Sequence, residues 1–387
     1  MKRLKIYVMA LLLAMTALPA AANDGTYYTK GNQLVPLQET SIGIRREVLT
    51  ISLMDNGYAR VDVQYEFWNP EKKARRLLMG FEADPPYNFD YKFYPDGRHP
   101  AISSFTVEMN GRTLAYRNAA CVADTNSLVP IDTTRPYFVF DDNRIYEDDG
   151  KGTMNDEVYN TGISFAYVYY FEAEFQPGLN RVHHSYVYRM STNVGSPFIV
   201  DYKLTPAARW AGGKIGDFTL TIRADSTAKH FYVFDSVFGG TDFTVSEGMG
   251  KLRRPQHYGN PTEVSLRNGA ITLHKTDFSP RSELYITAVG VEGIYVGEKC
   301  ITGGTYDRSN RIDWGPYEGM QWVPADAAFR QRVMRNLPYA HRGHVFKDKK
   351  LKAYFESLWW YMPDPDYKDD TSDFTEVDWM FVNDKEE

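Results

Sequence analysis

The chain has 387 residues, more than one ordinary hydrophobic core covers, so two or three domains are expected. Its composition, 43% hydrophobic and 24% charged, is that of a folded protein and excludes a disordered chain. A formal net charge of −6 argues against nucleic acid as a partner.

Residues 1–22 have the build of a signal peptide. Lys2, Arg3 and Lys5 form a basic n-region, and Ile6 to Leu18 form an apolar stretch too short to span a bilayer comfortably. Ala20-Ala21-Ala22 supplies small residues for cleavage, which would start the mature chain at Asn23. Loss of the three cations takes the charge from −6 to −9. No cysteine follows the apolar run, so a lipoprotein anchor is not expected. No later run approaches the ~20 residues of a membrane helix. The expectation is an exported protein without a transmembrane segment, in the periplasm or at the cell surface.

From about Leu34 to Val289 the chain alternates with the two-residue period of strands. Leu49, Ile51 and Leu53 alternate with Thr50 and Ser52, Asp55-Asn56-Gly57 turns the chain, and Val61, Val63, Tyr65 and Phe67 continue the pattern. This predicts an antiparallel hairpin with one apolar face. Phe105, Val107 and Met109 lead into Asn110-Gly111, a dipeptide that tolerates the positive φ of a type I′ turn. Val264 and Leu266 lead likewise into Asn268-Gly269, with Ile271 and Leu273 returning. Strands are also predicted over Phe165 to Phe175 and Val182 to Tyr188, joined at Pro177-Gly178, and at Phe218 to Ile222 and Leu284 to Ala288. Many short strands without intervening helices predict a mainly β protein of two antiparallel β-sandwich domains, 23–135 and 136–310. An acidic linker loop opens the second. Cys121 and Cys300 are candidates for a disulfide tying early and late β-regions together, or for two buried thiols.

The period changes after residue 325. Asp326 can cap a helix carrying Phe329, Val333 and Leu337, which Pro338 is expected to end at Leu337. Asp348 is a second candidate cap, ahead of the stripe Leu351, Tyr354, Phe355 and Leu358. An acidic link Pro363-Asp364-Pro365-Asp366 and a tail from Phe374 to Phe381 follow. The expected unit is a small α-rich C-terminal module over 315–387.

The block Tyr339-Ala340-His341-Arg342-Gly343-His344, with Phe346, Leu351, Phe355 and Trp360-Tyr361 downstream, resembles the YARHG domain, a small bacterial extracytoplasmic module without an established molecular function. The order departs from the name, since His341 precedes Arg342. The resemblance implies location and fold, not chemistry. The preceding β-region is similar to a second secreted bacterial family of unknown function. That similarity lies in Asn23-Asp24-Gly25, the first strand pair, Pro177-Gly178 and the segment from Trp210 through Ile215-Gly216 to Phe218.

Signals for catalysis are weak. His341 and His344 are three apart, but Gly343 between them suggests a turn instead of a metal-binding helix face. His183 and His184 point to opposite faces of a strand and cannot share a metal. Carboxylates cluster at Asp141, Asp142, Glu147, Asp148, Asp149, Asp156 and Glu157, yet Ile145 stands where an EF-hand loop ending its turn at Gly150 needs its first ligand. A solvated acidic loop is the plain account, with an irregular calcium site as the alternative. Glu247-Gly248-Met249-Gly250-Lys251 has the wrong spacing for a phosphate loop. No nucleophile elbow or His-Glu-x-x-His is present, and no cofactor or metal is expected.

Three consecutive aromatics, Trp359-Trp360-Tyr361, cannot all face one core, so one should reach the surface or a domain interface. The candidate ligand contacts are Tyr339, His341, Arg342, Trp359, Trp360 and Tyr361, with Arg342 offering a planar fork to a carboxylate. The sequence thus points to a non-catalytic envelope protein whose C-terminal module recognises peptidoglycan, another glycan or an envelope protein. Docking of the module onto the β-body is the competing use of the same rings. An exported hydrolase of glycan or peptide, using carboxylates between Asp141 and Glu157, is the competing function.

Overall fold

The computed structural model describes residues 30–32, 34–36, 40–54, 57–84, 93–122, 130–132, 137–140, 144–147, 163–193, 196–224, 229–239, 242–255, 259–288, 294–296, 299–301, 326–374 and 376–383. The expected signal peptide, the turn residues Asp55 and Asn56, most of the acidic loop and the Asn23-Asp24-Gly25 segment lie outside the described residues.

The strands in chain order are β1 (Lys30–Asn32), β2 (Leu34–Pro36), β3 (Gly43–Leu53), β4 (Tyr58–Asn69), β5 (Arg75–Ala83), β6 (Ile102–Met109) and β7 (Arg112–Thr113). Then come β8 (Arg117–Val122), β9 (Tyr137–Phe140), β10 (Arg144–Glu147), β11 (Ile163–Phe175), β12 (Gly178–Arg189), β13 (Ser191–Asn193) and β14 (Ser196–Lys203). The last are β15 (Ile215–Ala224), β16 (Lys229–Phe234), β17 (Thr244–Arg253), β18 (Thr262–Phe278), β19 (Leu284–Ala288), β20 (Ile294–Val296) and β21 (Lys299–Ile301). Three helices close the chain: α1 (Ala327–His341), α2 (Lys349–Glu356) and α3 (Glu376–Asn383).

Thirteen strands form one large sheet in the order β1-β14-β19-β16-β18-β15-β3-β4-β12-β6-β7, with β13 on β14 and β17 on β18. A six-stranded sheet runs β2-β5-β11-β10-β9, with β8 on β11, and β20 pairs with β21. The chain is mainly β with its helices at the C-terminal end, as the periodicity indicated. Alternation produces the layers directly. β4 buries Val61, Val63, Tyr65 and Phe67 and turns Arg60 and Gln64 outward. β11 buries Phe165, Tyr167, Tyr169, Phe171 and Phe175, and β5 beside it in the same sheet buries Leu77, Met79 and Phe81. Each such side chain contributes roughly 1.5–3 kcal/mol of burial. Rings meet across the gap between the sheets, Phe67 with Phe175 at 5.5 Å and Phe81 with Tyr186 at 4.7 Å, which is sandwich packing. A second focus gathers Phe218, Phe238 and Phe278 farther along the large sheet.

Pairing runs across residue 135. β4 lies antiparallel to β12, and β3 lies parallel to β15 with Ile44 opposite Ile215 and Leu53 opposite Ala224. This parallel pair is the seam between the two stretches of the large sheet. Pro177-Gly178 joins the two predicted strands, and there the chain passes from β11 in the small sheet to β12 in the large one. The turn expected at Asn268-Gly269 is corrected. Both residues lie inside β18, where Asn268 (φ 44°) forms a bulge against Gly248 (φ 63°) of β17 instead of a turn. Asn110 (φ 51°) and Gly111 (φ 78°) do form the tight turn expected between β6 and β7.

Candidate functional site

The C-terminal module is built from two capped helices and a folded-back tail. Asp326 accepts from the Phe329 N–H at 2.6 Å, and Asp348 from the Lys350 and Leu351 N–H groups at 3.0 Å, so both expected caps form. α1 does not stop at Leu337. It runs through Pro338 to His341, because the last turn buries Leu337, Ala340 and His341 and the Arg342 guanidinium donates to the Pro338 carbonyl at 3.1 Å. Packing and that added bond offset the amide bond which proline cannot make. Leu351 and Phe355 of α2 join Val333, Phe346, Trp360 and Phe381 in a separate small core.

Arg342 is the hub of this module. Its Nε donates to both oxygens of Asp373 at 3.0 Å, and its Nη2 donates to Asp378 at 2.9 Å and to the Asp373 carbonyl at 3.2 Å. Only 6% of the residue is exposed. The fork therefore ties α1 to the α3 region by charge-assisted bonds. His341 lies buried flat against Trp360, ring centres 4.2 Å apart, and burial followed by the Arg342 charge pushes its pKa well below the ordinary value. His344 bonds to Asp369, and the Tyr361 hydroxyl donates to the His344 carbonyl.

The module is fastened to the large sheet along β16, β17 and β18. Lys251 Nζ donates to the carbonyls of Trp359 at 3.0 Å and Tyr361 at 2.8 Å, and Ser265 Oγ to that of Trp360 at 3.3 Å. The Trp359 ring lies against the Arg253 guanidinium at 4.3 Å and the His230 ring at 5.2 Å. Beneath it Glu263 accepts both donors of Arg253 at 2.7 Å and His230 Nε2 at 2.9 Å. Burial pushes the Glu263 carboxyl up, but the bonds from His230 and Arg253 outweigh it and hold the group near about 2. Arg267 reaches Asp364 at 3.4 Å and crosses directly over Gly343.

Residues 330–382 match the YARHG family, and these are the residues whose packing has just been described. The C-terminal module is a YARHG domain. No curated protein matches the chain. Among solved structures the chain is similar to a candidate nutrient-binding protein of Legionella pneumophila, at 18% identity over 93% of this chain and 99% of that one, with a TM-score of 0.47. It is also similar to the M1 zinc metallopeptidase of Deinococcus radiodurans, at 10% identity over 78% of this chain and 54% of that one, with a TM-score of 0.28. The chain thus spans about half the length of that peptidase.

The structure places the six sequence candidates in three settings. His341, Arg342, Trp360 and Tyr361 are buried within the YARHG domain or at its seat on the sheet. Trp359 is half-buried in the joint itself. Tyr339 is half-buried at the rim, its ring on Phe374 at 5.1 Å. Cys121 is a buried thiol, with burial pushing its pKa up to about 11; the side chain of Cys300, the candidate partner, is outside the described residues. None of the carboxylates from Asp141 to Glu157 named for hydrolysis or calcium has a described side chain. On the body, His184 is buried in a cage of Tyr65, Phe81, Phe105 and Tyr186, while His183 faces out and bonds Asp62 at 2.7 Å. The adjacent pair points to opposite faces, as strand geometry requires.

Two outward-facing features escaped the sequence. Trp379 is 41% exposed and packs on Phe374 at 5.3 Å, which itself lies over Arg342 at 4.3 Å. The sequence carried little signal for it, because Arg342, which draws the neighbouring Asp378 inward, is 36 residues away, and consecutive helical residues lie only about 100° apart. The other is a polar concavity on the β-body lined by Tyr94, Arg98, Tyr116 and Asn118. A larger groove of about 700 Å³ runs over the outer face of β3, β4, β12 and β6, where Arg181 is paired with Glu66 and His183 with Asp62. Among the described residues no helix is long and apolar enough to cross a membrane.

Proposed function

We propose that this is an exported, non-catalytic binding protein of the bacterial envelope, with the β-body as scaffold and the YARHG domain as its recognising part. The observation that carries this reading is the aromatic patch that the domain's own packing leaves open. Phe374 adjoins Trp379 on one side and Tyr339 on the other, with Arg342 held beneath Phe374 and the Asp373 carboxylate at the margin. Contiguous apolar surface open to water is a mark of contact sites, and Trp379 is exposed beside the half-buried Phe374 and Tyr339. Such rings stack on the C–H faces of sugars or on the apolar side chains of a protein, so peptidoglycan, another glycan or an envelope protein is the partner class.

The joint supports the non-catalytic part of the proposal. Its polar groups, Glu263 with His230 and Arg253, are committed to one another as fasteners, and within the domain Arg342 is committed in the same way to Asp373 and Asp378. The test is co-sedimentation of the full-length protein with purified cell-wall sacculi. The expected result is pelleting that falls severalfold in Trp379→Ala at an unchanged melting temperature. Pelleting equal in wild type and variant would remove the patch as the recognising surface. No pelleting at all would remove the wall as the partner and leave a protein partner to be sought.

A further inference from the structure

The concavity on the β-body is a constructed site, and the chain goes to some expense to hold it open. Tyr94-Pro95-Asp96-Gly97 is a tight turn closed by the Gly97 N–H on the Tyr94 carbonyl at 2.9 Å, with proline and glycine at the positions that favour it. Gly97 (φ 69°) is pressed onto β8 so closely that a Cβ would lie 2.9 Å from the Asn118 carbonyl and from the Ala119 Cα. Two residues on, His99 pins the loop from the other side. Its N–H donates to the Tyr169 hydroxyl at 3.1 Å and its Nδ1 accepts from the Ala101 N–H at 3.0 Å. The ring proton is therefore on Nε2, which donates to the Asp84 carbonyl at 3.0 Å. Across the cavity β6 is bulged against β12 between Ser103 and Thr106, and Ser104 takes a left-handed conformation (φ 55°) that a non-glycine residue adopts only at a cost.

What these devices present is specific. Tyr94 and Tyr116 offer rings that are each 37% exposed, with Phe105 and Tyr169 packed behind Tyr116 at 4.9 and 5.9 Å. The Arg98 guanidinium lies over Tyr94 at 4.3 Å and within 3.8 Å of Asp96, so the lining carries one charge of each sign and no net charge. Asn118 lines the same cavity, and its side-chain oxygen is buried with no hydrogen-bond partner among the described residues. A buried acceptor left in that state costs about 1–3 kcal/mol and calls for a donor. The volume, about 430 Å³, suits a small molecule.

We propose that this cavity binds a neutral sugar. A pyranose has an apolar C–H face for the tyrosine rings and hydroxyls that both donate and accept. It can donate to Asn118 and Asp96 while accepting from Arg98. An anion would meet Asp96, a cation would meet Arg98, and a purely aromatic ligand would leave the Asn118 oxygen unsatisfied. The site is distinct from the YARHG patch and stands or falls without it.

The test is saturation-transfer NMR on the full-length protein with glucose, galactose, mannose and N-acetylglucosamine, and with cellotriose and chitotriose. Transfer to at least one probe is expected, strongest on C–H protons of one ring face. Tyr116→Ala and Asn118→Ala should each weaken it about tenfold, Tyr116→Phe should retain it, and Trp379→Ala should leave it unchanged. A monosaccharide bound as well as a trisaccharide identifies a free sugar as the ligand; preference for a trisaccharide identifies a glycan chain. Should Asn118→Ala lower the melting temperature, Tyr116→Ala alone decides. Transfer to none of these probes, or transfer undiminished in Tyr116→Ala, overturns the proposal.

Discussion

Gly343, the last letter of the motif, is where the YARHG domain meets the body most closely. Its φ of 91° disfavours any side chain, and a Cβ there would lie 1.8 Å from Arg267 Nη1, in an arginine only 4% exposed that has little room to swing away. Both costs fall on the same substitution. Gly343→Ala is therefore expected to destabilise the protein by at least ~2 kcal/mol, from left-handed strain of about 1–2 kcal/mol plus the collision, measured by denaturant unfolding. Adding Arg267→Ala should relieve the collision and leave the strain. An unchanged midpoint in the single variant would show that the glycine is not set by the joint. This role was not legible in the sequence, because nothing near Gly343 names Arg267 as its neighbour. For the same reason Arg342 read as a fork open to ligand carboxylates, whereas Asp373 and Asp378, distant in sequence, occupy it. A charge pattern shows which groups can pair, and folding decides which of them do.

Elements were legible where the signal is local. The caps Asp326 and Asp348 act within three residues of themselves, and both form. Removing the second, Asp348→Ala, should cost about 1 kcal/mol; the measurement is the unfolding midpoint, and no change would mean that packing of Leu351 and Phe355 sets α2 unaided. Elements were misread where a local preference was outvoted. Pro338 has the intrinsic tendency to end a helix, but Leu337, Ala340 and His341 gain enough burial to carry α1 past it. Asn268-Gly269 has the conformational preference of a turn. Strand β18, however, pairs with β15 over its second half, β16 over its first and β17 on its other edge, and the preference is expressed as a bulge. Alternation told which face of each strand is inward, yet not which strand is its neighbour, since β3 would look the same beside any apolar-faced partner.

At the scale of the whole molecule, the buried histidines make stability a function of pH. Burial lowers His99 to about 4 and His184 to about 3, and it depresses His341 well below its ordinary value. All three are neutral in the fold and take up protons more readily once unfolded. Their contribution is complete above the unfolded value of 6.5 and is lost as pH falls through the folded values. At roughly 1.4 kcal/mol per pH unit, His99 alone accounts for about 3 kcal/mol between 6.5 and 4. Chemical denaturation at stepped pH should show stability flat above 7 and falling steadily below about 6.5, and a flat profile down to 4 would contradict these burials. The parallel seam has a consequence of another kind, in time instead of energy. Ile44 is made early and its partner Ile215 only after more than half of the chain, so the inner edge of β3 stays bare through the synthesis of the intervening residues. Until β15 arrives, that edge is a template for any other extended chain nearby. The nascent protein thus has a period in which it is vulnerable to mispairing, and shielding it by a chaperone matters most before the large sheet has been stitched shut.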